Sequence, residues 1–199
     1  MGKKGAFVVI EGLDGSGKST QAKILVDRLQ QRWDAIYTAE PSRGKTGLFI
    51  RNQILYGFRR PPITVEALLF AADRVDHVQS EINPNIDQGK VVVSDRYVYS
   101  SLAYQGSAGL NLDWIKTINS YVLTPDLGIF IDVEPLTVMR RLRRRKSIME
   151  NLGIQEKVRS IYLQFVKSGD LIKIEGERPK AMVSDEIFDV VTNFLDRRS

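Results

Sequence analysis

The chain has 199 residues, 43% of them hydrophobic and 27% charged, with no cysteine and a formal net charge of +5. Such a length and balance suit one compact domain with a large core and set aside disordered, collagen-like and coiled-coil classes, disulfide frameworks and thiolate metal sites. No apolar run approaches the roughly 20 residues that cross a bilayer, and the basic start Gly2-Lys3-Lys4-Gly5 leads into a strand rather than a signal-peptide core, so a cytoplasmic chain without membrane association is expected.

Apolar, β-rich runs recur at Ala6–Ile10, Ala35–Ala39, Val91–Ser94, Leu127–Val133 and Leu171–Ile174, several too uniformly apolar for a strand wetted on one side. Between them, helical periodicity covers Lys18–Arg32, Thr64–Ile82, Leu112–Leu123, Pro135–Lys146, Ile154–Lys167 and Ser184–Leu195. Strands alternating with helices predict an α/β fold, a three-layer α/β/α sandwich around a five-stranded parallel sheet. No repeat, low-complexity tract or linker divides residues 1–199, which are expected to form a single domain.

Directly after the first strand stands Gly12-Leu13-Asp14-Gly15-Ser16-Gly17-Lys18-Ser19-Thr20, which satisfies G-x-x-x-x-G-K-[ST] and opens a helix. Backbone N–H groups of this loop and the helix N-terminus converge on phosphate oxygens in such a setting, the mark of a P-loop NTPase type fold. Lys18 is then expected at the outer phosphates of ATP and the Ser19 hydroxyl at Mg²⁺. The motif leaves the reaction open, since switches, ATPases and small-molecule kinases share it.

A second constellation follows the strand Val91-Val92-Val93-Ser94: Asp95-Arg96-Tyr97-Val98-Tyr99-Ser100-Ser101-Leu102-Ala103-Tyr104-Gln105. A carboxylate at the carboxyl end of a strand in an open α/β sheet faces the ligand crevice, where Asp95 can orient Mg²⁺ or its waters beside Ser19. Arg96 offers a planar fork for phosphate oxygens. An Asp-Arg surface pair is the plainer reading of the dipeptide taken alone.

Together with the phosphate loop, this segment resembles the thymidylate kinase family, whose hallmark is Asp-Arg-[Tyr/His] running into Ser-x-x-Ala-Tyr-Gln. Glu40-Pro41-Ser42-Arg43, Leu69-Phe70-Ala71-Ala72-Asp73-Arg74, Pro125-Asp126-Leu127, Ile131-Asp132-Val133 and Glu177-Arg178-Pro179 fall in the family's order. The resemblance implies an ATP- and Mg²⁺-dependent kinase acting on dTMP, a small molecule rather than a nucleic acid, and a homodimer. It implies that Phe70 stacks on thymine and Arg74 donates to its O4. It also implies that Arg43 and Arg96 grip the acceptor phosphate, that Asp14 takes the sugar 3′-hydroxyl and that Tyr104 crowds the 2′ position. Ser100, Ser101 and Gln105 would complete the polar contacts, with Pro41 near the thymine methyl and Glu40 supporting the turn.

Phe70 and Arg74 are four apart and share a helix face, so one flat base can meet both. The residues alone leave a second reading open, with Phe70 in the apolar stripe of Leu68, Leu69 and Val75 and Arg74 paired with Asp73 or Asp76. The run Arg140-Arg141-Leu142-Arg143-Arg144-Arg145-Lys146 matches the family's lid, about residues 140–153. Position 15 is glycine where some members carry an arginine, so the charge on the transferred group calls for a cation from the lid: Arg145 and Arg141, with Arg143 behind them. A solvated basic face or polynucleotide patch is the alternative for that run. Segment 147–153 lacks the acidic Asp-Arg-Phe-Glu pattern of that subtype, and nothing marks the single histidine, His77, as catalytic. A kinase for another nucleotide or a deoxynucleoside, and a nucleic-acid-binding ATPase, are the competing functions.

Overall fold

The computed structural model describes residues 5–55, 60–142 and 152–198. Five strands, β1 (Ala6–Gly12), β2 (Ala35–Ala39), β3 (Val91–Asp95), β4 (Leu127–Asp132) and β5 (Ile172–Glu175), form one parallel sheet in the order β2-β3-β1-β4-β5. β1 and β3 are buried along their whole length, as continuous apolar runs in a sheet covered on both faces require. Successive side chains of β1 point to opposite faces. Val8 and Ile10 join Leu25, Val26 and Leu29 of α1 (Lys18–Leu29) and Ile187 and Val191 of α9 (Lys180–Asp196), while Phe7 and Val9 join Val78, Ile82 and Tyr97. Phe7 meets Tyr97 edge to face at 4.9 Å.

The strands fall within two residues of the runs in the sequence; β1, reaching Gly12, is the most extended. Helices diverge more. The predicted Thr64–Ile82 is α3 (Ile63–His77) followed by a wider π-helical turn, Val78–Ile82, and the chain runs on beyond it into α4 (Asn83–Asp87); the predicted Leu112–Leu123 stops as α6 (Leu112–Ile118). Among the described residues, three helices had no periodic signal: α2 (Lys45–Phe49), running into a π-helical stretch at Ile50–Leu55, the short α4, and α5 (Val98–Ser107). α5 opens with valine, tyrosine and two serines, all indifferent helix formers, so packing rather than propensity makes it. It lies against α8 (Leu152–Lys167), where Tyr99 meets Phe165 at 5.2 Å. Of the predicted Pro135–Lys146 helix, α7 (Pro135–Arg141) is seen and residues 143–146 lie outside the described residues.

The strand order places a topological switch beside β1, where open α/β sheets bind ligands. Register puts Ile10, Ala39 and Asp95 level with one another, so the loops leaving β1, β2 and β3 open side by side. Among the described residues, no helix is long and apolar enough to cross a membrane.

Candidate active site

The loop between β1 and α1 curls because Gly12, Gly15 and Gly17 hold φ of 152°, 84° and 99°. Gly17 caps α1 without any side-chain hydrogen bond, so the first-turn N–H groups stay available to an anion. Lys18 is 5% exposed and folds back over the loop, its Nζ donating to the Leu13 carbonyl at 2.8 Å. Burial, assisted by the nearby Arg96 cation, lowers its pKa to about 8 against the pull of Asp14, Asp95 and Glu11. A phosphate delivered to that ammonium removes the penalty.

The Ser19 hydroxyl donates to Asp95 Oδ2, which the Tyr37 hydroxyl also approaches at 3.4 Å. Asp95 is buried, and its Oδ1 has no hydrogen-bond partner among the described residues. A buried carboxylate oxygen left unpaired beside a hydroxyl fits Mg²⁺, which favours one or two carboxylates plus substrate phosphates and waters.

Arg96, immediately after β3, has φ 76°, a left-handed conformation uncommon for a residue with a side chain. Its guanidinium donates to Ser100 Oγ at 2.9 Å and to Asp14, and lies 5.2 Å from the centre of the Tyr104 ring. Tyr104 closes the circle by accepting the Asp14 N–H at 3.0 Å. Seating in the cleft raises the Asp14 pKa, but the Arg96 and Lys18 cations more than reverse this and hold it below the ordinary carboxylate value. Asp14, Lys18, Ser19 and Arg96 therefore line one cleft of about 260 Å³.

The turn after β2 carries the remaining candidates. Pro41, joined to Glu40 by a cis peptide, and Ser42 are buried, whereas Arg43 is exposed and makes no hydrogen bond or ion pair among the described residues. Asp73 secures the turn by accepting Ser42 N–H at 2.7 Å and its hydroxyl at 2.6 Å, and Arg51 donates to the carbonyls of Pro41 and Ser42. Phe70 is half-buried and belongs to neither core cluster. Arg74 is 1% exposed and pairs with Glu40 at 2.7 Å, not with Asp73 or Asp76. It also donates to Asn119 at 2.6 Å, to Ser101 at 3.1 Å and to the Tyr97 carbonyl, which leaves one Nη1 hydrogen without an acceptor among the described residues. Gln105 is buried, its Nε2 3.4 Å from Glu66 and its Oε1 without a partner among the described residues. Glu40 is more than a turn support, since its second oxygen lies 3.5 Å from His77, whose Nε2 is 2.6 Å from Thr38.

Arg141 lies across the back of the phosphate loop, 3.5 Å from the carbonyls of Gly15 and Ser16 and 3.3 Å from that of Gly176. It lines a second cleft of about 200 Å³ with Thr20, Gln21, Arg178 and Lys180. Gly15 faces Leu142, whose Cγ would lie 3.0 Å from a Cβ there, so this position has little room for a side chain. Arg145, Arg143 and most of the segment read as a lid, 140–153, lie outside the described residues. Sequence reading passed over Glu11, Tyr37, Arg51 and Asn119; of these only Glu11, a charged residue inside an apolar strand run, carried a signal.

The family model for thymidylate kinase matches residues 10–187. A probable thymidylate kinase of Pyrococcus abyssi is 43% identical over 189 residues, covering 92% of this chain and 91% of that protein. A probable thymidylate kinase of Pyrobaculum aerophilum is 42% identical, covering 90% and 93%, and one of Methanococcus maripaludis is 46% identical, covering 81% and 78%. With the phosphate loop and the Arg96 turn opening into one cleft, and these matches spanning nearly the whole sequence, the chain belongs to the thymidylate kinase family.

Proposed function

We propose that this chain is a cytoplasmic, single-domain kinase that transfers the γ-phosphoryl group of ATP to dTMP, giving ADP and dTDP. The observation that supports it most directly is the shared cleft, in which a phosphate loop with its lysine faces an arginine already engaged with a carboxylate of that loop. ATP phosphates would lie along Gly12–Thr20 with Lys18 at the outer oxygens, and the base side of ATP would enter the cleft beside Arg141 and Arg178. Ser19 and Asp95 would hold Mg²⁺, which would supply positive charge to offset that of the phosphates. The acceptor phosphate would be gripped by Arg96 and by Arg43, whose guanidinium is uncommitted among the described residues. Asp14 would take the 3′-hydroxyl and Tyr104 would crowd the 2′ position.

Phe70 would stack on thymine, with Pro41 near its methyl, while the spare Arg74 hydrogen, Ser101 and the unpaired Gln105 oxygen serve the base edge. Ser100, whose hydroxyl is held by Arg96 and Glu11, would serve the phosphate end. Transfer is direct and in line: the acceptor oxygen attacks as ADP leaves, and Lys18 with the lid residue Arg145 stabilises the charge spread over the moving group, while Arg141, set against the carbonyls of the loop, stays on the ATP side. The exposed apolar residues Leu48, Phe49 and Leu68 on α2 and α3 suit a homodimer, which light scattering of the purified protein would read. Incubation with labelled ATP and each nucleoside monophosphate tests the acceptor: dTDP should be the main product. Turnover of dCMP or GMP without dTMP would sink the assignment, and DNA-stimulated ATP hydrolysis without a phosphorylated nucleotide would point to the nucleic-acid-binding alternative.

A further inference from the structure

Glu11 lies near the end of β1, one residue before Gly12, and is fully buried. Four donors converge on it: Oε1 accepts the N–H of Tyr97 at 2.8 Å and of Ser100 at 3.2 Å, and Oε2 accepts the hydroxyls of Ser100 at 2.7 Å and Tyr162 at 2.9 Å. Oε1 faces only backbone N–H groups, which cannot accept, so it acts as an acceptor throughout, while burial pushes the pKa of the carboxyl up. Helix α5 has no side-chain cap of its own, and Glu11 supplies one from another element by taking N–H groups at its first turn.

The residue preceding that capped turn is Arg96. Its left-handed backbone is fixed on one side by its own N–H donating to the Ile10 carbonyl at 3.0 Å and on the other by the Tyr97 N–H on Glu11. Its guanidinium rests on the same Ser100 hydroxyl that donates to Glu11. Glu11 thus holds both ends of Arg96, the backbone that launches the side chain and the serine that receives its tip.

We propose that Glu11 is a positioning residue that aims Arg96 at the acceptor phosphate, without touching substrate itself. This rests on the reading of Arg96 as a phosphate grip. A purely structural role would be served as well by apolar packing of the same volume, since buried charges contribute little net stability. What a carboxylate adds is direction, because one oxygen fixes the two backbone N–H groups of Tyr97 and Ser100 and the other the two hydroxyls of Ser100 and Tyr162.

Separate titrations with ATP and with the monophosphate that wild type phosphorylates, alongside melting temperatures, test the proposal. Glu11→Gln keeps the volume but replaces one acceptor oxygen with an amide N–H₂, which competes with Arg96 for the Ser100 hydroxyl or meets the backbone N–H groups; we expect acceptor affinity to fall roughly tenfold while ATP affinity stays within about twofold. In an Arg96→Ala background the same substitution should change acceptor affinity by less than about twofold, the non-additivity of residues acting through one another. Ser100→Ala, which retains the carboxylate's hold on the backbone, should weaken the acceptor in the same direction by a smaller factor and decides the matter if Glu11→Gln does not fold. Equal losses for both substrates, an undiminished Glu11→Gln effect on Arg96→Ala, or wild-type acceptor binding by Ser100→Ala would each overturn the role. Because the variants are compared on the monophosphate that wild type uses, a wild type that refuses dTMP counts against the acceptor assignment and leaves the Glu11 comparison standing.

Discussion

Lys18 carries a charge in a place where a charge is expensive, with a single carbonyl as its hydrogen-bond partner among the described residues. On the proposed reading the penalty would serve binding, since a polyphosphate would restore what burial removed. Removing the cation with Lys18→Ala should lower kcat/KM by about 10³-fold, a loss on the scale of deleting one preorganised electrostatic contact. The melting temperature should not fall, because the substitution deletes a buried charge; a near-normal turnover would remove this lysine from the mechanism. The pKa of about 8 also sets a sign: the ammonium form prevails below that value and is lost above it. A pH profile of kcat/KM for ATP should therefore fall as pH passes about 8, while kcat at saturating ATP holds to higher pH, the bound phosphates having pulled the pKa back up. A flat kcat/KM profile to pH values well above 8 would contradict this.

At the scale of elements, the site is held by close approaches that leave no slack. Helix α2 packs Gly47 against the turn at Pro41-Ser42-Arg43, and a Cβ there would overlap the Ser42 carbonyl oxygen and lie 2.6 Å from its nitrogen. Backbone cannot give way as a side-chain tip can, so Gly47→Ala should displace the turn at a cost of about 1–3 kcal/mol. Arg43 moves with it. The expected signature is a KM for the acceptor raised about tenfold with the KM for ATP little changed, measured by varying each substrate in turn; an unaltered acceptor KM would show that this turn does not hold the acceptor. The helices legible in the sequence were those with apolar periodicity. α5 was not, because its first turn is capped by Glu11 from β1 and its face is buried by α8, neither of which is local in sequence.

Across the whole molecule, the order β2-β3-β1-β4-β5 brings three strand ends together, so residues far apart in sequence, Asp14, Arg96 and Tyr104, become neighbours. On the proposed reading donor and acceptor would occupy separate halves of one crevice, and each ligand should stabilise the fold on its own. At a hundred times its Kd, each contributes about 2.7 kcal/mol, or roughly 5–10 °C in melting temperature for a chain of this size. Thermal shifts with a non-hydrolysable ATP analogue, with dTMP and with both should show two increments that add. No shift with dTMP alone would contradict a preformed acceptor seat.

The amino-acid order by itself determined the phosphate loop, the five strands and the periodic helices, because each is a local pattern: glycines at turn positions, apolar runs of strand length, apolar residues at helical spacing. It also marked Asp95 and Arg96 by their place at a strand end. Only the tertiary structure decided that Arg74 is committed to Glu40, that Arg141 lies against the outside of the loop, and that Ser100 and Glu11 stand behind Arg96. The reason is physical. A buried polar group must find partners wherever the fold supplies them, and those partners are set by which strands and helices meet rather than by which residues follow one another.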